Sequence, residues 1–355
     1  MRKSKRFTLL ATVAALGVLA AACGSSTKSS STPTTQASGA TTTVPAASSN
    51  VTAGVAFDTG GRGDGTFNDS AGRGLDKAVS ELGVKKIELE AVKDEDRKTN
   101  LTLLAQQKAN PIIGVGFLFA APMKDIAAAN PNTTFAIVDS TVDGNPPNVR
   151  ALLFAENEGS FLVGAAAALK SKTGHIGFIG GQEIDLIKKF EAGYIAGAKA
   201  VNPAIKIDSK YLGPAGDNSA WGNVAGAKEI AKGWYDAGAD VIYTAAGGSG
   251  AGTIAAAVEA NKWAIGVDSD QWVLAKPDEQ KHILTSMIKH VDVAVFQTIK
   301  AVADGDTKGG IITFDLKSDG VGYSTSGGFL DDVKSKLEAY KADIISGKIV
   351  VPTKP

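Results

Sequence analysis

The sequence predicts an α/β protein of two doubly wound lobes, each on a parallel sheet, facing one another across one cleft. Three observations carry this. Short apolar runs alternate with helical stretches from Val51 to Ile345, the pattern of repeated β-α units. One set of units runs to Phe154, and a second begins at His175. Several apolar runs end in a carboxylate or in glycines, at Asp58, Gly116, Asp139, Gly180-Gly181, Gly247-Gly248 and Asp268. Ligand sites of α/β proteins lie beyond such strand ends.

In the first set, Val51 to Phe57 reads as a strand that breaks into a glycine-rich loop ending in Phe67-Asn68. Glycines let backbone N–H groups approach a ligand closely. Phe67 offers a stacking face and Asn68 a two-way hydrogen-bonding edge, which together suit a heteroaromatic ring. A helix is expected over Ser70 to Leu82, a strand over Lys86 to Val92, and a helix over Asp94 to Asn110 with Leu101, Leu104 and Ala105 inward. Pro111 to Phe117 reads as a buried strand, Met123 to Asn130 as a short helix, and Thr134 to Asp139 and Val149 to Phe154 as strands. Glu156-Asn157-Glu158 opens an Ala-rich helix to Leu169.

The second set repeats the alternation. His175 to Gly181, Ile205 to Leu212, Asp240 to Ala246, Trp263 to Asp268 and His282 to Met287 read as strands. Helices are expected over Ile184 to Val201, Ser219 to Ala237 and Thr253 to Asn261. Val291 to Ala303 then forms a helix, Gly310 to Leu316 an extended segment, and Leu330 to Ile345 a last helix. A late return of the chain to the first lobe would create hinge strands. The lobes are therefore drawn at 51–156 with about 291–317, and at 157–290 with about 318–355.

The N-terminus has its own logic. Met1 to Arg6 is basic, and Phe7 to Ala22 is an apolar run too short and too poorly flanked for a stop-transfer span. Small residues then precede Cys23, the single cysteine of the chain. This resembles a bacterial lipoprotein signal over 1–22, which implies cleavage and lipidation at Cys23. Ala20 stands where that pattern prefers leucine, which keeps ordinary secretory cleavage as an alternative. Residues 23–50 are mostly Ser, Thr, Ala, Pro and Gly and cannot bury enough apolar surface to order, so a disordered tether is expected. No second cysteine exists for a disulfide, and the fold must rest on its core. Lys+Arg and Asp+Glu both number 37, and loss of Arg2, Lys3, Lys5 and Arg6 would leave the chain slightly acidic. Without a basic stripe, nucleic acid is not an expected partner.

Each candidate carries a plainer reading beside the functional one. An Asp at a strand end also suits capping of the next helix, which applies to Asp58 and Asp139. Asp268 and Asp270 stand so near one another that they need donors, from a ribose diol or from Lys289. Lys289 also reads as a solvated lysine past a strand end. Phe117 and Phe190 sit in apolar or amphipathic runs and read as core. An enzyme reading fails on spacing. Gly247 to Gly252 followed by Asp268 approaches a dinucleotide fingerprint, but Thr253 and Ala255 stand where its third glycine would be needed. Ser249 and Ser269 lack a histidine partner, and His175, His282 and His290 show no metal-ligand spacing. No cofactor is expected.

The chain resembles the basic membrane protein family of substrate-binding lipoproteins, also called PnrA-like, which serve ABC importers. The resemblance rests on Asp58 to Asn68, Gly114 to Phe117, Phe135 to Asp139, Glu156 to Gly164 and Gly177 to Gly181. It continues in Phe190 to Tyr194, Ala245 to Gly250, Gly266 to Gln271 and Thr285 to Lys289. It implies a type I periplasmic-binding-protein fold with hinge strands and, for the best understood members, purine nucleoside ligands.

Carried over position by position, the resemblance implies that Phe67 stacks on the base and Asn68 hydrogen-bonds it. Asp58 and Asp139 would meet the base's polar edge, and Asp268 would accept from the ribose hydroxyls. Lys289 would donate to the sugar or hold Asp268, while Gly247 and Gly248 would bring backbone N–H groups to the sugar. Trp221, ahead of Tyr243, is the expected second aromatic. The implied protein is a monomeric binder, lipid-anchored on the extracytoplasmic face of the cell membrane, with ABC permease subunits as partners. A sensor or adhesin on the same scaffold, or a binder of another aromatic or sugar-like solute, stands as the alternative.

Overall fold

The computed structural model describes residues 50–355. The expectations for the signal segment, Cys23 and all but the last tether residue lie outside the described residues.

The first sheet begins with β1 (Thr52–Phe57), α1 (Phe67–Leu82), β2 (Lys85–Glu90), α2 (Asp94–Gln106), β3 (Ile112–Gly114), α3 (Ala120–Ala129), β4 (Phe135–Val138) and β5 (Val149–Phe154). The chain then crosses into α4 (Glu156–Lys170), β6 (His175–Gln182), α5 (Asp185–Val201), β7 (Lys206–Gly213), α6 (Val224–Asp236), β8 (Val241–Ala245), α7 (Gly250–Ala260) and β9 (Trp263–Asp268). Two single-turn helices, α8 (Gln271–Leu274) and α9 (Pro277–Gln280), lead to β10 (Ile283–Lys289). The closing elements are α10 (Val291–Ala303), β11 (Gly310–Phe314), β12 (Val321–Tyr323) and α11 (Lys334–Ile345).

The two six-stranded sheets share one strand order, β11-β5-β4-β3-β1-β2 and β12-β10-β9-β8-β6-β7. Every pairing in the first sheet is parallel. The second departs from the expected parallel sheet at one edge, where β12, absent from the sequence reading, runs antiparallel to β10. Inner strands such as β4 and β6 are buried along their whole length, because helices cover both faces of each sheet. That is why they read as continuous apolar runs.

Three crossings join the sheets, at Ala155, at His290 and in 315–320, all at the β5/β11 and β10/β12 edge. They lie side by side: Ala155 N–H donates to Phe314 O at 2.9 Å and His290 N–H to Gly320 O at 2.9 Å. Around them, helices pack at backbone distance. A Cβ at Gly193 or Gly197 of α5 would overlap the carbonyls of Asn157 or Phe161 in α4, and one at Gly74 of α1 would overlap that of Asp292 in α10.

Some boundaries differ from expectation for local reasons. Helix α1 starts at Phe67 rather than Ser70 because Asp64 caps it, accepting from Thr66 N (2.9 Å), Asn68 N (2.9 Å) and Asp69 N (3.1 Å). The helix expected from Ser219 is divided. A 3₁₀ turn, Asn218–Trp221, is held by the Asp217 side chain, and α6 begins at Val224 with Asn223 accepting from Gly226 N at 2.9 Å. Strand β2 stops at Glu90, leaving Val92 exposed in a loop.

Candidate functional site

The carboxyl ends of both sheets face a cavity of about 230 Å³ between the lobes. On the first lobe its wall is the loop after β1. Gly60, Gly61, Gly63 and Gly65 all take positive φ, between 54° and 103°, a region that favours glycine. Asp69 cinches this loop, accepting from Gly63 N and Gly65 N at 2.8 Å each. The result fixes Phe67 and Asn68 at the start of α1. The Asn68 amide is oriented from both sides: Oδ1 accepts from Asp58 N at 3.2 Å, and Nδ2 donates to Asp64 at 3.1 Å.

Asp58 caps no helix. Its Oδ1 accepts from Arg97 Nε (2.8 Å), Arg97 Nη2 (2.6 Å) and Thr59 N (2.7 Å). Its Oδ2 lies beside Gly116, where a Cβ would stand 3.1 Å away. Arg97 is buried, and nothing in the sequence around it marked it out. Phe117, read as core, instead lines the cavity from the 3₁₀ turn after β3. Its ring meets that of Trp221 edge to face, with centroids 6.3 Å apart.

Trp221 enters from the second lobe. Ser249 Oγ donates to Ala220 O at 2.8 Å and ties its turn to the glycine loop at Gly247 and Gly248, which also line the cavity. The Trp221 ring lies against Gly181, where any Cβ would overlap it. Tyr243, the other candidate, is fully buried in the core against Phe178 and Tyr194. Phe190 serves core and cavity at once.

The far end of the cavity is ionic. Asp139 and Asp268 follow or end the equivalent strands β4 and β9, and both take left-handed backbone angles, φ 68° and 63°. Lys289 Nζ lies 2.6 Å from Asp139, 3.4 Å from Glu156 Oε1 and 5.2 Å from the Phe67 ring centre. Thus Lys289 is no solvated lysine, and its hydrogen bond goes to Asp139 rather than Asp268. Glu156 also meets Lys189, at 3.2 Å. Asp270 turns away, its Oδ2 accepting from Ser324 and Ser326 at 2.7 and 2.6 Å.

Asp268 is left with an unfilled need. It is buried, and among the described residues no donor reaches its Oδ1. Burial, helped by Asp139, Asp64 and Glu156 and opposed by Lys289, pushes its carboxyl up to about 7. Burial also raises Asp139 against the pull of Lys289. Burial would lower Lys289, but Asp139, Glu156 and Asp268 outweigh it and hold the ammonium above its ordinary value.

All nine residues singled out as ligand contacts line this one cavity: Asp58, Phe67, Asn68, Asp139, Trp221, Gly247, Gly248, Asp268 and Lys289. Sequence reasoning missed Asp64, Leu186, Ile187 and Val224, which line it too. Asp64 carried a signal, an Asp just ahead of a helix in a glycine loop. The others sit at helix starts after strand ends, where only the facing of the lobes reveals them.

A family model described as ABC transporter substrate-binding protein PnrA-like matches residues 51–355. The chain belongs to this family. Relatives of the PnrA-like chain include a CD4+ T-cell-stimulating antigen of Listeria monocytogenes, 37% identical over 99% of this chain and 100% of that protein. An ABC transporter nucleoside-binding protein BmpA of Lactococcus lactis is 36% identical over 86% of this chain and 90% of its own. The crystal structure of an ABC transporter solute-binding protein from Aeropyrum pernix superposes with a TM-score of 0.73 at 28% identity, covering 85% and 94% of the two chains. This PnrA-like protein is a substrate-binding component, not a catalyst.

Proposed function

We propose that the protein captures a nucleoside, purine nucleosides foremost, between its lobes and hands it as a monomer to the permease of an ABC importer. The observation that carries this is Asp268, a buried carboxylate whose Oδ1 meets no donor among the described residues, beside a slot walled by Phe67, Phe117 and Trp221. A ligand filling that space needs a flat ring and at least one hydroxyl donor, and the ribose diol of a nucleoside offers two. In this reading Phe67 stacks on the base while Asn68 and the free oxygen of Asp58 read its edge. Asp139 meets the base's polar edge as well, Lys289, bonded to Asp139, donates to the sugar, and the backbone at Gly247 and Gly248 approaches the ribose. The name of the Lactococcus lactis relative points the same way.

Calorimetry on guanosine, inosine, adenosine and their free bases tests the assignment. Base–aromatic stacking is worth about 1–3 kcal/mol and is sequence-tolerant, so Phe67→Ala should weaken all nucleosides alike. Asp268→Ala should cost affinity for nucleosides and little for free bases, since an ionised carboxylate only accepts. Equal losses for base and nucleoside would remove Asp268 from the sugar site. The lipid anchor is placed on Cys23, and a tether of about 27 residues would reach about 30 Å from the membrane. Cys23→Ala should then shed the protein or leave it unprocessed, and unchanged membrane retention would reject this.

A further inference from the structure

We infer that Asp94 and Asn218 form a latch between the lobes, coupled to the occupied cavity through Arg97. The inference rests on the nucleoside-capture reading and adds how release would be controlled. Asp94 opens α2 just after β2, and Asn218 follows β7. These are the edge strands farthest from the three crossings. At a strand spacing of about 4.8 Å, four strand steps place that edge about 19 Å from the hinge. A given hinge rotation therefore separates the lobes most at this edge, and a link there has the longest lever against opening.

The link exists. Asn218 Nδ2 donates to Asp94 Oδ1 at 2.9 Å across the lobes. The same oxygen accepts from Arg97 Nη1 at 2.7 Å. Arg97 spends its Nε and Nη2 on Asp58, inside the cavity wall. A planar guanidinium fork held by Asp58 fixes where its third nitrogen aims, and thereby where Asp94 sits. On the other lobe, Asn218 Oδ1 accepts from the buried Gln182 at 2.9 Å, and Asn218 begins the turn that carries Trp221. A string of hydrogen bonds thus leaves the cavity at Asp58 and crosses the lobes outside it to Asn218, whose turn carries the backbone on to Trp221. Its interlobe step is Asn218 to Asp94. A ligand that bonds Asp58 and packs on Trp221 holds both ends of the string and sets the latch. Opening the cleft must break it.

Stopped-flow tryptophan fluorescence with guanosine tests this, with Trp221 as reporter. Asn218→Ala should speed dissociation roughly 3- to 10-fold, the range of one exposed charge-assisted hydrogen bond, with association within about twofold. Arg97→Lys keeps the charge but not the fork. In that background Asn218→Ala should change dissociation by less than about twofold, because Asp94 is no longer aimed. Unchanged dissociation in Asn218→Ala overturns the latch, and additive effects overturn its coupling through Arg97. If the wild-type protein binds no nucleoside, the capture reading fails, and the latch is judged without ligand by amide hydrogen exchange. Faster exchange at 217–222 in Asn218→Ala than in wild type supports it, and equal exchange overturns it.

Discussion

Lys289 and Asp139 face each other across the cleft at 2.6 Å, so an ion pair ties the end of β10 in one sheet to the end of β4 in the other. Both side chains are almost wholly buried, at 2% and 6% exposure. Glu156 and Asp268 add two further carboxylates to the same pocket of low dielectric. One ammonium therefore pairs with two of these acids, Asp139 and Glu156, and is further favoured by the charge of Asp268. Removing a partner from a buried ion pair costs far more than the pair itself contributes.

Lys289→Met keeps the apolar stem and removes the charge. The acids left behind must take up protons or repel, and the expected loss is about 3–5 kcal/mol of stability at neutral pH. Acidification should restore part of it, since protonated carboxyls no longer need the cation. Thermal unfolding of this variant at pH 5 and pH 8 checks both the size and the sign. A melting temperature equal to wild type at pH 8 would mean that the acids are stabilised by other groups.

Binding should depend on pH through Asp268. Its carboxyl, raised by burial from 3.8 to about 7, must be ionised to accept from two sugar hydroxyls. Ligand binding favours the ionised form, so affinity should rise with pH through 7 and level off above it. Between pH 8 and pH 6 the expected loss is about tenfold. The charged groups that act on Asp268 are Lys289, Asp139, Asp64 and Glu156, and its own charge in turn acts on the Tyr243 hydroxyl. Asp268→Asn should flatten the profile, which calorimetry at several pH values would show. Without ligand the sign for folding is opposite. A folded-state value above the unfolded one contributes stability below about pH 4 that is lost as pH rises to 7.

Gly181→Ala isolates the role of Trp221. No Cβ fits beneath the indole, so the ring must leave its place against β6 or the strand must shift. Nucleoside affinity should fall by about tenfold or more, with a changed tryptophan emission maximum in the free protein. The reverse result, wild-type affinity with an unchanged spectrum, would show that the ring is not set by this contact.

Much of the cavity wall was legible because each strand end carries its own chemistry. Asp58, Asp139 and Asp268 stand just where an apolar run stops, Phe67-Asn68 closes the glycine loop that follows one, and period and composition mark those places without tertiary information. Asp64 was legible as a cap and passed over. Phe117 was misread because an aromatic after a buried strand has the same local signature whether it turns inward or toward a cleft. Tyr243 and Trp221 were separable only by depth, one lying inside the second sheet and the other on a turn at its rim.

By itself, then, the sequence determined the order of β-α units, the two lobes and the polar residues at their strand ends, because these depend on local periodicity and turn chemistry. The tertiary structure decided which charges meet. That Lys289 pairs with Asp139, that Arg97 holds Asp58, and that Asp268 Oδ1 meets no donor among the described residues are outcomes of long-range packing. The physical reason is range. Hydrogen bonding within a turn is set over a few residues, whereas an ion pair between residues 150 positions apart exists only once two independently wound sheets have closed on each other.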